Sequence, residues 1–338
     1  MIQDSELTEL EHWLSQQSSS EFPGYGRVDY WLRYQTVAEY LNREVHPHVE
    51  KGALVRGDGY LTDHGPDHVR TIFRRAATLI RIEELNPYEV YLFLMAAHFH
   101  DIGNILGRKE HGSHINTVMA KFADLLGDDT VELRAITRIA QAHTGNAVTG
   151  EDSISRLTSE EEILHFAVRP QALAALLRFA DELADDSQRA ARFSLKLGII
   201  PQKSEVYHQY ARSLQSVRAY SDTRTISLSF NFTRSEARKK FGKGRRKVFL
   251  LDEIYDRSIK LHRERIYCMR FLVPLALFDA IKVTIEIYPS DRHPMRELEI
   301  GYRLQETGYP LPPVGIRELC PEIRWAGSTL KEHFDGDS

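Results

Sequence analysis

The segment that most restricts the fold runs from Asn86 to Asp101, NPYEVYLFLMAAHFHD. Asn86 can cap a helix, Pro87 suits its first position, and Glu89 stands at the spacing of a capping box. The residues that follow are apolar on nearly every side, so no face is left for water. Such a helix has to be surrounded by other elements, and it falls short of the roughly 20 residues of a membrane span. The two polar residues at its end, His100 and Asp101, are therefore carried into an interior.

The neighbours it needs are legible as amphipathic helices. ELTELEHWLSQQ is a short one, followed by a Ser/Pro/Gly loop. Residues 28–51 place Trp31, Tyr34, Val37, Ala38 and Leu41 on one stripe, and residues 66–85 do the same with Val69, Ile72, Phe73, Ala76 and Ile80. After the loop GNILGRKEHG comes a helix with Ile115, Val118, Met119, Phe122 and Leu126, stopped at Gly127. Asp129-Thr130-Val131-Glu132 is a second capping-box start, leading to Ile136, Ile139 and Ala140, with Gly145 as C-cap. A further helix from Pro170 to about Asp186 carries Leu173, Leu176, Leu177, Ala180 and Leu183.

Beyond about residue 195 the pattern changes. TISLSFNF (225–232) and KVTIEIY (282–288) alternate with period two, as strands do, and KVFLL can be a third. Residues 252–272 read as a long amphipathic helix. The expected fold is mainly α, a helical bundle with a smaller C-terminal α+β domain, divided as 1–60, 61–192 and 193–338.

Composition narrows the function classes. The formal net charge is −4, so no chain-wide attraction to nucleic acid or anionic membrane is available, and any such binding is local. Two cysteines, Cys268 and Cys320, give neither a disulfide framework nor a Cys-based zinc site. The acidic start MIQDSELTEL is unlike a secretory signal, and FLVPLALF is too short to span a bilayer. The expectation is a cytoplasmic protein without membrane association.

Of the 15 histidines, seven (His64, His68, His98, His100, His111, His114 and His143) fall between residues 64 and 143, roughly twice an even share. His68 lies one turn before Ile72 and so faces inward. His143 continues the Ile136/Ile139/Ala140 stripe, and Asp181 follows Leu177 by four residues. Four helices thus aim imidazoles and two carboxylates at the interior, where an unpartnered carboxylate costs several kcal/mol. No lysine or arginine is placed by the pattern to neutralise them. A divalent metal satisfies them together, and a mixed His/carboxylate set suits iron, manganese or zinc.

These residues resemble the HD superfamily of metal-dependent phosphohydrolases. The family motif, a His, a His-Asp pair ending a buried helix and a later Asp, falls on His68, His100-Asp101 and Asp181, within LMAAHFHDIGN and LLRFADEL. The lead-in TDHGPDH is similar to that of bacterial members with a C-terminal α+β extension. The resemblance implies an HD-type helical core over roughly 61–190. It also implies one or two divalent ions (Mn, Fe, Zn or Mg) and hydrolysis of a phosphoester by a metal-activated water. Two-metal members add histidines between the pair and the final Asp; here these are His143 and His111, with His114 a rival for the latter and Asp101 bridging as the catalytic carboxylate. His98, about 200° round the helix from His100, reads as a core residue.

Substrate contacts are expected from Arg108, Lys109 and Arg189, and from His64, which can touch a phosphate or orient a ligand. Many relatives carry Lys directly after HDIG, where this chain has Asn104, which moves the expected phosphate contact to Lys109. The Pro-Pro-Phe-Gly-His continuation of deoxynucleotide triphosphohydrolases is replaced by HDIGNILGRKEHG. The expected substrate is a nucleotide, a cyclic or oligonucleotide phosphodiester, or a nucleic-acid end. The basic stretch RSEARKKFGKGRRK (234–247) either holds nucleic acid or forms a solvated loop or hairpin. Two rivals stay open: a nuclease using that stretch, and a nucleotide-binding sensor with little turnover. A homodimer is compatible with either.

Overall fold

The computed structural model describes residues 7–24, 26–49, 65–106, 111–121, 129–145, 152–184, 200–273, 275–306 and 315–336. They belong to two compact units, 1–184 with 267–277, and 185–266 with 278–338. No helix of the described residues is long and apolar enough to cross a membrane.

The first unit is helical: α1 Glu9–Ser15, α2 Tyr30–Tyr40, α3 Pro66–Leu79, α4 Pro87–Phe99, α5 His111–Met119, α6 Thr130–Ala142 and α7 Pro170–Glu182, with a small hairpin of β1 Glu161–Ile163 and β2 Phe166–Val168. Helix α4 is central, as its sequence requires. Every residue from Tyr88 to Phe99 is buried, and α1, α2, α3, α6 and α7 all touch it. Each fully buried Leu or Phe there contributes about 1.5–3 kcal/mol.

The start of α4 is fixed as expected. Asn86 accepts from Glu89 N at 2.9 Å while Glu89 closes the capping box. The Glu89 carboxylate also takes Arg169 in a forked pair, at 2.9 and 2.6 Å, tying the start of α7 to the start of α4.

Three local expectations are corrected. Helix α3 stops at Leu79 rather than running to Leu85, because Ile80 turns to extended backbone. The second helical segment carries a π-helical turn over Leu41–Val45. Asp129 caps α6, accepting from Val131 N and Glu132 N, but Glu132 does not close the box; its carboxylate is taken by tyrosines.

The second unit is α+β. A four-stranded sheet runs in the order β3 (Leu214–Tyr220), β4 (Thr225–Thr233), β7 (Ala280–Tyr288), β8 (Leu298–Gln305). The central β4–β7 pair is parallel, Thr225 opposite Ala280 through Thr233 opposite Tyr288, and both outer pairs are antiparallel. A parallel pair needs a crossover, and the helix α10, Leu250–Leu272, lies between these strands in the chain. Alternate residues Ile226, Leu228, Phe230 and Phe232 of β4, with Ile281, Val283, Ile285 and Ile287 of β7, form the buried face. Tyr210 of α8 (Glu205–Ser213) packs on Phe230, and Ser258 of α10 meets the Tyr302 hydroxyl at 2.8 Å. Strands β3 and β8 were not anticipated. Of the loop or hairpin expected over 234–247, the hairpin is found, an antiparallel pair of β5 Lys240–Lys243 and β6 Arg246–Phe249, preceded by a short helix α9, Arg234–Ala237. Two short helices, α11 Ile316–Leu319 and α12 Gly327–Gly336, follow the sheet.

Candidate metal centre

Five helices bring six side chains together. His68 is the third residue of α3, in its first turn, behind Pro66 in the helix's first position. His100 caps α4 and Asp101 follows it; His111 opens α5, His143 caps α6, and Asp181 lies in the last turn of α7.

The ligand-type atoms of His68, His100 and Asp101 lie within 4.8 Å of one another, and so do those of Asp101, His111 and His143. Asp181 joins the first set: its Oδ1 is 3.0 Å from His68 Nε2 and 3.8 Å from His100 Nε2. Asp101 belongs to both. Its Oδ2 is 3.3 Å from His100 Nε2, whereas its Oδ1 is 3.6 Å from His111 Nε2 and 3.9 Å from His143 Nε2. The Nε2 atoms of His111 and His143 are 3.2 Å apart. Among the described residues, His111 is in the second set and His114 is in neither.

Two glycines permit the approach. A Cβ on Gly103 would lie 1.9 Å from the His111 carbonyl oxygen, and one on Gly112 would lie 2.6 Å from Thr144 Cγ2. The start of α5 can thus press against both the turn after His100-Asp101 and the end of α6.

Ring tautomers follow from the backbone. His100 Nδ1 is 2.7 Å from Ala97 O and His143 Nδ1 is 2.5 Å from Ala140 O. A carbonyl only accepts, so in both rings Nδ1 carries the proton and the neutral ring presents Nε2 as a lone-pair donor. The buried His100 Nε2 makes no well-formed hydrogen bond. A cation between these groups supplies what that atom lacks, so the residues fit a divalent metal.

Electrostatics agree. Burial disfavours a charged His100, but Asp101 and Asp181 outweigh it and push the ring up to about 9. Burial also disfavours ionised Asp181, yet the hydrogen bond from His68 and the charge of His100 hold its carboxyl far below the usual range. His143 is pushed down to about 4 by burial and by the nearby charge of His100.

His98 is a core residue, 3% exposed. It lies 3.3 Å from the Tyr34 hydroxyl and 3.4 Å from His46, and burial pushes it well below the usual imidazole range. His64, Arg108, Lys109 and Arg189 lie outside the described residues.

The sequence reading missed the support behind His143. The Ser153 hydroxyl is shared between the carbonyls of Ala142, at 2.8 Å, and Thr144. Arg178 Nη1 donates to Thr144 O and Ser153 Oγ, both at 3.3 Å, with its guanidinium 4.7 Å from the centre of the Tyr267 ring. Arg178 is 5% exposed on α7. This corrects the expectation that no cation sits on the inward faces, and its place between the buried Leu177 and Phe179 was the available signal.

Imidazoles and carboxylates converging from helix ends, with a His-Asp pair closing the central helix, define a helical metal-centre protein of HD type. The sequence matches the family HD-CE over residues 58–258, and the chain belongs to that HD-domain-like family. The match supports the class of metal-dependent hydrolases. No curated protein and no solved structure matches the chain.

Proposed function

We propose that this protein hydrolyses a phosphoester bond in a nucleotide or related substrate, with divalent metal that the imidazoles and carboxylates around Asp101 would hold. The observation that carries the reading is the division of the Asp101 carboxylate, one oxygen towards His100 and the other towards His111 and His143. His68, His100, Asp101 and Asp181 hold one ion in this reading, and Asp101, His111 and His143 the other. Ions so held lower the pKa of coordinated water towards neutrality and polarise phosphoryl oxygens.

The protein's own contribution is geometric. His100 and His143 are locked by Ala97 and Ala140, so both present Nε2 without reorientation. Asp181 restrains His68 by their 3.0 Å contact. Three or more imidazoles with carboxylates favour iron, manganese or zinc over magnesium, which prefers oxygen ligands. The phosphate contacts of Arg108, Lys109 and Arg189, and the role of His64, remain part of the proposal on sequence grounds alone.

The test is metal analysis of the purified protein, joined to a hydrolysis screen over nucleotides, cyclic nucleotides and short oligonucleotides. Asp101→Ala, checked for folding by circular dichroism, is expected to lose bound metal and at least ~10³-fold in turnover, about 4 kcal/mol of barrier. Intact phosphoesters under every one of the four metals would overturn the reading. Tight nucleotide binding without turnover would favour a sensor.

A further inference from the structure

Eight Lys and Arg lie in 234–247, and the structure sorts them into two groups. Arg234 is held by Glu297 and lies over the Phe334 ring, and Arg238 pairs with Asp335. Lys243 Nζ is 2.5 Å from Glu253 Oε2 and 3.7 Å from Asp256 Oδ2. These three cations are engaged within the C-terminal unit.

The other five, Lys239, Lys240, Arg245, Arg246 and Lys247, are exposed, and none has an acidic partner among the described residues. Lys240 rests its ammonium 4.9 Å from the centre of the Phe249 ring. Five unneutralised charges within nine residues repel one another in a chain whose net charge is negative.

The segment that presents them is a fixed platform. β5 and β6 pair with Gly242 opposite Lys247 and Lys243 opposite Arg246, and Gly244 takes φ +60° at the turn. Gly244 N donates to Lys203 O at 2.8 Å, and Gly242 N donates to Glu205 at 3.0 Å. Gly242 is packed so tightly that a Cβ would lie 1.7 Å from Gln202 O. Phe241 and Phe249, on opposite faces of the hairpin, are both buried.

We propose that this hairpin binds the phosphate backbone of nucleic acid without regard to sequence. A polyanion relieves the repulsion and gains counterion release. A membrane surface is the poorer match. Stable attachment needs an apolar insertion besides basic charge, and the hairpin's large apolar side chains are buried. The inference stands apart from the hydrolase reading, because backbone binding needs no metal.

The experiment uses the full chain with a labelled 30-nucleotide DNA single strand, read by fluorescence anisotropy in EDTA between 50 and 200 mM salt. Five phosphate contacts give a log–log salt slope of about −3.5, or roughly 100-fold weaker binding over that range. Substituting Arg245, Arg246 and Lys247 together by Gln should reduce the slope to about −1.4, with the thermal midpoint unchanged because all three are exposed. Arg234→Gln, which removes an engaged cation, should leave the slope alone. Salt-independent binding, no binding, or an unchanged slope in the triple variant would overturn the proposal. So would hairpin-dependent capture by phosphatidylserine vesicles without capture of DNA.

Discussion

Helices α4 and α6 lie against each other, and each buries polar groups at both of its ends. At the N-terminal end of α6, facing the start of α4, the buried carboxylate is Glu132, 1% exposed. It accepts from the hydroxyls of Tyr88 at 2.8 Å, Tyr30 at 3.0 Å and Tyr91 at 3.4 Å, and from Arg33 Nη1 at 2.9 Å. At their C-terminal ends the carboxylate is Asp101, and its neighbours are imidazoles, of which His100 and His143 have committed their protons to backbone carbonyls. One end of the helix pair gathers hydroxyls and a guanidinium on its carboxylate; the other gathers imidazoles and carboxylates of the kind that hold a metal. The difference shows that burial of a carboxylate does not itself signal a site. What signals it is the kind of neighbour the carboxylate has, imidazoles and a second carboxylate brought from several helix ends in place of hydroxyls and a guanidinium.

The comparison can be broken most strongly at the Glu132 end. Glu132→Ala strands Arg33 and three tyrosine hydroxyls in the interior and should destabilise the protein by about 4 kcal/mol. Metal content should stay at the wild-type level in the fraction that folds. Chemical denaturation with metal analysis reads both, and a loss of metal from the folded variant would mean that the two ends are not independent.

A second test is pH. In metal-free protein His46, at about 4 through burial and the charge of His100, and His143, also at about 4, bind protons less well than unfolded rings at 6.5. Their contribution is present above pH 6.5 and is lost as pH falls towards 4. His100, pushed up to about 9, works the other way: its contribution is present below 6.5 and lost as pH rises through 9. Each ring accounts for at most about 3 kcal/mol. Metal-free stability should therefore peak near pH 6.5. Saturating metal requires neutral His100 and should flatten the alkaline arm, as thermal melts across pH would show. An alkaline arm unchanged by metal would argue against His100 as a ligand.

The smallest effect concerns the support of His143. Ser153→Ala leaves the Ala142 and Thr144 carbonyls short of a donor and frees the end of α6. Metal affinity measured by titration should fall about tenfold, the lower end of losses from removing such outer partners. An unchanged affinity would show that α5 packing alone holds His143.

Much of the centre was legible before any coordinates. The His100-Asp101 pair was readable because an all-apolar helix has to carry its end inward, and His68 and Asp181 because helical spacing fixes the face a residue shares with its apolar neighbours. The choice of His111 over His114 was not legible. It depends on how α5 enters after Gly103 and Gly112 permit close approach, and loop geometry leaves no periodic trace. Glu132 was misjudged for a related reason: its spacing from Asp129 suits a capping box, yet four donors from α2 and α4 offer it more than one backbone N–H. Strand β3 was missed because LQSVRAY alternates only weakly, and pairing to β4 is what makes it a strand; β8 was missed although LEIGYRLQ alternates apolar and polar residues throughout.

By itself the sequence determined which residues turn inward and that the inward set is rich in imidazoles and carboxylates, since periodicity and side-chain chemistry are local properties. Tertiary structure alone decided how those residues divide around Asp101 and which basic side chains of 234–247 are already neutralised. Both depend on partners far apart in the chain, whose meeting is fixed by packing and pairing and by nothing in their immediate neighbours.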